Sequence, residues 1–230
     1  MKIIGILLAG GKGRRFGNED KLLQEIDGKP VIYYSLLVLE KTDGIDEVLL
    51  VSDDKKINIL KDLVRDWDLR KVKDVIEGGK ERQDSVFNAI NSISQCDYVL
   101  IHDGARPFIS VSLVEKIIKE GIEKKAVITA VPVKDTIKLV GSDKRVESTL
   151  PREKLWQIQT PQFFEFSIIK AAHENAKKDN FYGTDDAVLV ERLGIPVYII
   201  EGEQWNIKIT TKEDLELAKC IIKKRYTELA

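Results

Sequence analysis

The stretch that most constrains this chain lies at its start. Lys2-Ile3-Ile4-Gly5-Ile6-Leu7-Leu8 is a nearly continuous apolar run, and it breaks into four glycines and three cations within Gly10 to Gly17. A short apolar run bounded by glycines reads as a buried strand of a parallel sheet. The turn after it reads as a phosphate cradle. Glycines without a Cβ let backbone N–H groups approach an anion, and Lys12, Arg14, Arg15 and the nearby Lys21 supply the opposing charge. A nucleotide or a polyphosphate is the ligand this predicts.

Two well-known glycine patterns do not fit. A P-loop needs Ser or Thr after Gly-Lys, but Gly11-Lys12 is followed by Gly13, and Ile6 stands where the first glycine belongs. A dinucleotide fingerprint needs glycine at Phe16 and an acidic residue closing the second strand, and Asp53 comes too late for that. The plain alternative is a surface turn without a ligand, but such turns seldom gather this many cations beside a buried strand.

Composition narrows the ligand further. The 37 basic and 38 acidic residues leave a formal net charge of -1, so basic character is local and nonspecific nucleic-acid binding is not expected. With 230 residues, 43% of them hydrophobic, the chain supports one large core, with at most a modest appendage. Cys96 and Cys220, like His102 and His173, have no metal-ligand spacing, so neither a zinc site nor a disulfide framework is expected. The cysteines read as buried thiols, and His102 as a packed strand-end residue rather than a catalyst. The first apolar run is too short for a membrane span or a signal-peptide core, which points to the cytoplasm and to no membrane partner.

Along the chain, strands and helices alternate. A helix is expected from Pro30 to Leu39, a strand over Asp46 to Ser52, a helix over Lys55 to Trp67 and a strand over Lys71 to Ile76. A helix from Glu81 to Ile93, a strand from Asp97 to Ile101, a helix from Val111 to Ile122 and a strand from Ala126 to Val131 follow. The turns Glu77-Gly78-Gly79 and His102 to Pro107 both come after strand ends. In an open α/β sheet that sets them beside the first loop. Residues 132–152 read as a β-hairpin arm, marginal alone and therefore packed on a partner subunit or over the site. A helix is expected over Phe166 to Lys178, and another over Ala187 to Leu193, capped by Gly183-Thr184-Asp185-Asp186. Short strands are expected at Val197 to Glu201 and Ile207 to Ile209, and Thr211 with Asp214 reads as a capping box opening the last helix. Phe163, Phe164 and Phe166 read as packing residues. The fold class is thus α/β: a single Rossmann-like domain, 1–230, with a mostly parallel central sheet and a projecting hairpin arm at 132–152.

The turns, taken together, resemble those of the 2-C-methyl-D-erythritol 4-phosphate cytidylyltransferase family. The resemblance rests on Leu8 to Arg15, Gly78-Gly79 with Arg82 to Val86, His102 to Phe108, Pro132 to Thr136, Gln159 to Gln162, Thr184 to Ala187 and Asn206 to Thr210, in order along almost the whole chain. One departure concerns Lys21. It stands six positions beyond Arg15 where the family usually has seven, a spacing similar to that of the nucleotidyltransferases of molybdenum cofactor maturation. Ribitol-5-phosphate cytidylyltransferase is a second, related family with the same loops, and a nucleotide-binding module without turnover is a third reading.

The resemblance implies CTP and a polyol phosphate as substrates, Mg2+ as cofactor and a homodimer formed through the arm. It implies that Arg15 and Lys21 stabilise the transition state and that Arg152 and Lys208 hold the attacking phosphate. Ala9, Gly10, Gly11, Gly13, Gly78, Gly79, Arg82, Ser85 and Gly104 are the CTP-binding residues it implies. Arg106, Thr136, Thr160 and Thr184 are the residues it implies for the polyol phosphate. Asp103, at the end of a buried strand, is expected to meet magnesium or a substrate hydroxyl. Lys208, between Ile207 and Ile209, would face solvent by strand alternation alone.

Overall fold

The computed structural model describes residues 1–10, 16 and 20–229, the stretch 225–229 by its backbone alone. In chain order the elements are β1 (Ile3–Leu8), β2 (Glu25–Ile26), β3 (Lys29–Pro30), α1 (Val31–Lys41), β4 (Glu47–Ser52), α2 (Ile57–Asp66), β5 (Val72–Glu77) and α3 (Arg82–Ser92). There follow β6 (Tyr98–Asp103), α4 (Val111–Lys124), β7 (Ala126–Pro132), β8 (Lys138–Val140), β9 (Val146–Thr149), β10 (Trp156–Glu165), α5 (Phe166–Lys178), α6 (Ala187–Glu191), β11 (Tyr198–Glu201) and α7 (Lys212–Leu229).

Among the described residues a seven-stranded sheet runs in the order β11-β7-β10-β6-β1-β4-β5. Its pairs are parallel except at β10, which lies antiparallel to both β6 and β7. The chain steps from β1 outward to β4 and β5, and α3 then returns it to β6 on the other side of β1. The strand order therefore reverses between β1 and β6. Open α/β sheets bind ligands at such a point, beyond the carboxyl ends of the strands.

Side chains alternate along each strand, so each strand feeds two cores. On one face Ile3 and Leu7 pack with Leu36 of α1, Leu60 of α2, Val114 of α4 and Ile221 of α7. On the other, Ile4, Ile6 and Leu8 pack with Val86 of α3, Ile169 of α5 and Leu189 of α6. Burying each such side chain is worth about 1.5–3 kcal/mol, which is why the continuous apolar runs settle in the middle of the sheet. The α4 contact is close. A Cβ on Gly121 would come 2.2 Å from the Phe163 ring.

The sequence reading left 155–162 without an element, and the structure makes it the first part of β10, which carries Phe163 and Phe164 into opposite cores. Gln159 and Gln162 are buried on this strand, a polarity that hides it from a search for apolar runs. Ile207 to Ile209, expected as a strand, forms none, and its Ile209 N–H donates to Ala105 O at 2.8 Å. The hairpin arm is present as β8 and β9, exposed along both strands. Cys220 is exposed on α7 and Cys96 half-buried, against the expectation of two buried thiols. The capping box at Thr211 and Asp214 is formed, with Asp214 Oδ2 accepting from Thr211 N at 2.9 Å.

Candidate active site

Three strand ends meet at the crevice. At β1, the Ala9 N–H donates to Val51 O at 2.7 Å and Gly10 lies exposed at the rim. At β5, the Gly78 N–H donates to Ser52 O at 2.8 Å, and the Gly79 N–H donates to Ser85 Oγ at 3.0 Å. Ser85 in turn donates to Glu81 O, and Glu81 with Asp84 forms the capping box that starts α3. This packing leaves no room for side chains. A Cβ on Gly79 would stand 2.2 Å from Asp84 Cβ, and one on Gly78 2.7 Å from Ser85 Oγ. The result is a cleft of about 670 Å³ lined by Gly10, Ser52, Gly78, Gly79, Arg82 and Ser85.

Beside it, β6 ends in Asp103, and the neighbouring Gly104 N–H donates to Leu8 O at 2.9 Å. Asp103 Oδ1 accepts from Arg82 Nε at 3.1 Å, and its Oδ2 accepts from Lys208 Nζ at 2.6 Å. Lys208 is thus turned into the crevice, away from the solvent face that alternation assigned to it. Burial alone would raise the Asp103 carboxyl, but the charges of Arg82 and Lys208 outweigh it and hold the group well below the ordinary carboxylate range. The segment carrying Lys208 is stitched in place at several points: Arg106 Nη1 donates to Asn206 O at 2.7 Å, and Lys21 Nζ to Ile209 O at 2.9 Å. Lys21 is thus tied to the segment that carries Lys208. Burial lowers the Arg106 guanidinium from its usual value despite the nearby Asp103.

Under Asp103 lies a neutral relay. The Asp103 N–H donates to Thr160 Oγ1 at 3.0 Å, and the Thr160 hydroxyl is 3.0 Å from His102 Nδ1. His102 Nε2 is 3.2 Å from Arg106 O, an acceptor, so the proton sits on Nε2 and Thr160 donates to Nδ1. Burial pushes the imidazole down to about 4, so it is uncharged at neutral pH. His102 is the packed strand-end residue that the sequence reading expected.

The first turn of α3 holds the opposite wall. Arg82 Nη1 donates to Asp186 Oδ2 at 2.7 Å, Gln83 Nε2 donates to Phe181 O at 2.9 Å, and the Gly183 N–H donates to Gln83 Oε1 at 2.8 Å. Asp185 caps α6, accepting from Val188 N at 3.1 Å, whereas Asp186 is buried on Arg82 and His173. Thr184 is exposed just before them. At the first loop, Lys56 Nζ lies 2.6 Å from both Asp20 and Asp53, joining the loop's end to the end of β4. Gln83 and Asp186 lie in stretches the sequence singled out, Asp186 as part of a helix cap, but their roles in this wall were not foreseen, and neither were those of His173 and Lys56.

Of the residues singled out from the sequence, the structure brings together Ala9, Gly10, Lys21, Gly78, Gly79, Arg82, Ser85, Asp103, Gly104, Arg106, Thr160 and Lys208. Gly11, Gly13 and Arg15 lie outside the described residues. Thr136 and Arg152 are exposed on the arm, where Arg152 Nη1 donates to Lys134 O at 2.8 Å. Among the described residues no hydrogen bond or ion pair joins either of them to Asp103, Arg82 or Lys208. These residues do not form an all-protein cage for magnesium, an ion that usually needs only one or two carboxylates beside substrate phosphates. Both Asp103 oxygens are taken by cations, and the described residues contain no group of three side chains able to hold a metal.

A doubly wound sheet, a glycine-lined cleft at its switch point and cations converging beside it define an α/β protein of the nucleotidyltransferase class. The model of the 2-C-methyl-D-erythritol 4-phosphate cytidylyltransferase family matches residues 3–224. The enzyme of that name from Dictyoglomus thermophilum is 54% identical over 97% of each chain, and that from Clostridium perfringens is 46% identical over 96% of this chain and 99% of its own. The crystal structure of 4-diphosphocytidyl-2C-methyl-D-erythritol synthase from Anaerococcus prevotii superposes with a TM-score of 0.87 at 34% identity, covering 96% of each chain. The chain belongs to the 2-C-methyl-D-erythritol 4-phosphate cytidylyltransferase family.

Proposed function

We propose that the chain transfers CMP from CTP to 2-C-methyl-D-erythritol 4-phosphate, a step of non-mevalonate isoprenoid biosynthesis. A phosphate oxygen of the polyol phosphate attacks the α-phosphorus of CTP, the bond to the β-phosphate oxygen breaks, and pyrophosphate leaves. The nucleophile is already an anion, since a phosphate monoester has its second pKa near ~6, so no base or side-chain nucleophile is required. The neutral, buried His102 agrees with that.

The chemistry left to the protein is positioning and charge neutralisation. The observation that carries the reading is the pairing of Lys208 and Arg82 on Asp103 at the switch point, next to the glycine-lined cleft. In this reading CTP lies along Ala9, Gly10, Gly11 and Gly13 and in the cleft of Gly78, Gly79, Arg82 and Ser85, with Gly104 at its edge. Arg15 and Lys21 neutralise the α-phosphoryl oxygens, and loss of one such donor typically costs roughly 3–4 kcal/mol of barrier. Lys208 holds the attacking phosphate, and Asp103 accepts from a polyol hydroxyl. Arg106 and Thr160 line that subsite from beneath, Arg106 by bracing the Lys208 segment and Thr160 by bracing Asp103. Thr184 borders it from the α6 side.

Thr136 and Arg152 belong to the arm, so they would enter the crevice of a partner subunit. A homodimer through the arm is supported by Leu139, Val140 and Val146, which are 50%, 47% and 54% exposed on a ribbon that is marginal by itself. Magnesium would enter as the counter-ion of the triphosphate and would neutralise part of its charge, and no step is routed through it. The enzyme is read as cytoplasmic, acting on small molecules and not on nucleic acid. No helix among the described residues is long and apolar enough to cross a membrane.

The test is pyrophosphate release with magnesium present, offering CTP, ATP, GTP or UTP with either methylerythritol 4-phosphate or ribitol 5-phosphate. Release confined to CTP with methylerythritol phosphate is expected. Release with ribitol phosphate instead, or silence in every combination, overturns the reading. Arg152→Ala should raise KM for the polyol phosphate and spare that for CTP.

A further inference from the structure

The buried ion pairs of the crevice do not end at Asp103. They continue away from the cleft, through Arg82 to Asp186 and on to His173 of α5, both of which are 1% exposed. Asp186 Oδ2 accepts from Arg82 Nη1 at 2.7 Å, and Asp186 Oδ1 lies 3.1 Å from His173 Nε2, which donates to it. The imidazole is stacked against Phe87 of α3, with ring centroids 6.4 Å apart and planes at 27°, so its direction is set by packing. We propose that His173 and Asp186 are positioning residues: through Arg82 they fix the orientation of the Asp103 carboxylate and so shape the polyol subsite.

Asp186 does not cap α6, a task that Asp185 performs. Burying a carboxylate there carries a desolvation penalty that an apolar side chain filling the same space would not. What the carboxylate supplies is direction. A guanidinium is a planar fork, so pinning Nη1 on Asp186 fixes the plane and aims Nε at Asp103 Oδ1. Lys208 cannot do this, because an ammonium on a flexible stem holds a carboxylate without setting its plane. His173 completes the arrangement by occupying the second oxygen of Asp186, which leaves that carboxylate one orientation. Gln83, one residue along, clasps the 181–183 backbone and keeps Asp186 in reach.

This inference rests on the proposed function, so turnover of the unmodified enzyme is measured first. Silence there overturns that reading and this inference with it. Given turnover, kcat and the KM of each substrate are compared for His173→Leu, His173→Gln and Asp186→Asn, with circular dichroism and thermal midpoints as controls of folding. Gln keeps an N–H donor near the position of Nε2, and Leu does not. His173→Leu and Asp186→Asn are expected to raise KM for the polyol phosphate about tenfold. KM for CTP should change by less than threefold, because among the cleft's glycine and serine wall and Arg82 only Arg82 touches Asp186, while Gly78, Gly79 and Ser85 are held by contacts of their own. His173→Gln should stay within threefold of the unmodified enzyme in both. If His173→Leu does not fold, Asp186→Asn and His173→Gln carry the same comparison. A fall in kcat with both KM values unchanged means only a smaller folded fraction and overturns the proposal. So does a parallel rise of both KM values, or a Gln variant no better than Leu.

Discussion

Acid should weaken this fold through one buried imidazole before any carboxylate is affected. His102 is fully buried, with Thr160 donating to Nδ1 and Nε2–H donating to Arg106 O, so its folded form is neutral and titrates near 4 against an ordinary value of 6.5. Between those values the unfolded chain binds a proton that the folded chain refuses. Stability therefore rises with pH across the window and is lost as pH falls from about 6.5 toward 4. At about 1.4 kcal/mol per pH unit, the loss from pH 7.5 to pH 4.5 is roughly 2–3 kcal/mol. The window closes at pH 4.5 because Asp103 and Asp186, whose folded values are depressed, lose their own contributions only as pH falls below the ordinary aspartate range. The assay is urea unfolding at pH 7.5, 6.5, 5.5 and 4.5 for the unmodified chain and for His102→Gln, whose amide accepts from Thr160 and donates to Arg106 O without titrating. The difference between the two proteins should shrink by that amount on acidification. Parallel pH dependence in the two would refute the reasoning.

Gly121→Ala should destabilise by about 1–3 kcal/mol in the same unfolding assay, since its Cβ meets the Phe163 ring at 2.2 Å in a closed core. Gly79→Ala should weaken CTP binding, read by calorimetry, because the methyl collides with Asp84 at 2.2 Å and displaces the start of α3; unchanged affinity would remove the cleft from the CTP site. Lys208→Met should cut kcat/KM by about 10²–10³, the usual effect of removing one charge-stabilising donor, while the fold survives because Arg82 still pairs Asp103. Leu139→Glu with Val146→Glu should yield monomers in sedimentation velocity with the secondary structure kept, and an unchanged dimer would rule out the arm as the interface.

Much of the frame was legible before the structure. β1, β4, β6 and β7 are apolar runs, and such runs have one stable location, the middle of a sheet covered on both faces. The boundaries of α5 and the capping box of α7 are local patterns, settled by side chains within four residues of one another. The glycine turns were legible for the same reason. β10 was not, since its first half alternates glutamines with apolar residues and Pro161 follows at its middle, and only its place between β6 and β7 makes it a strand. Nor did residue spacing reveal how Lys208 is used. Alternation sent it to solvent, whereas an ion pair across 105 positions turns it inward.

The sequence by itself determined the α/β class, the turns that carry the ligand chemistry and the family to which they belong, because each is written in contiguous residues. Tertiary structure alone decided which charges meet. Arg82 reaches Asp103 across 21 positions and Asp186 across 104. Contacts at such separations follow from the order in which strands lie in the sheet, and that order is fixed by packing two cores at once. Local propensity does not encode it.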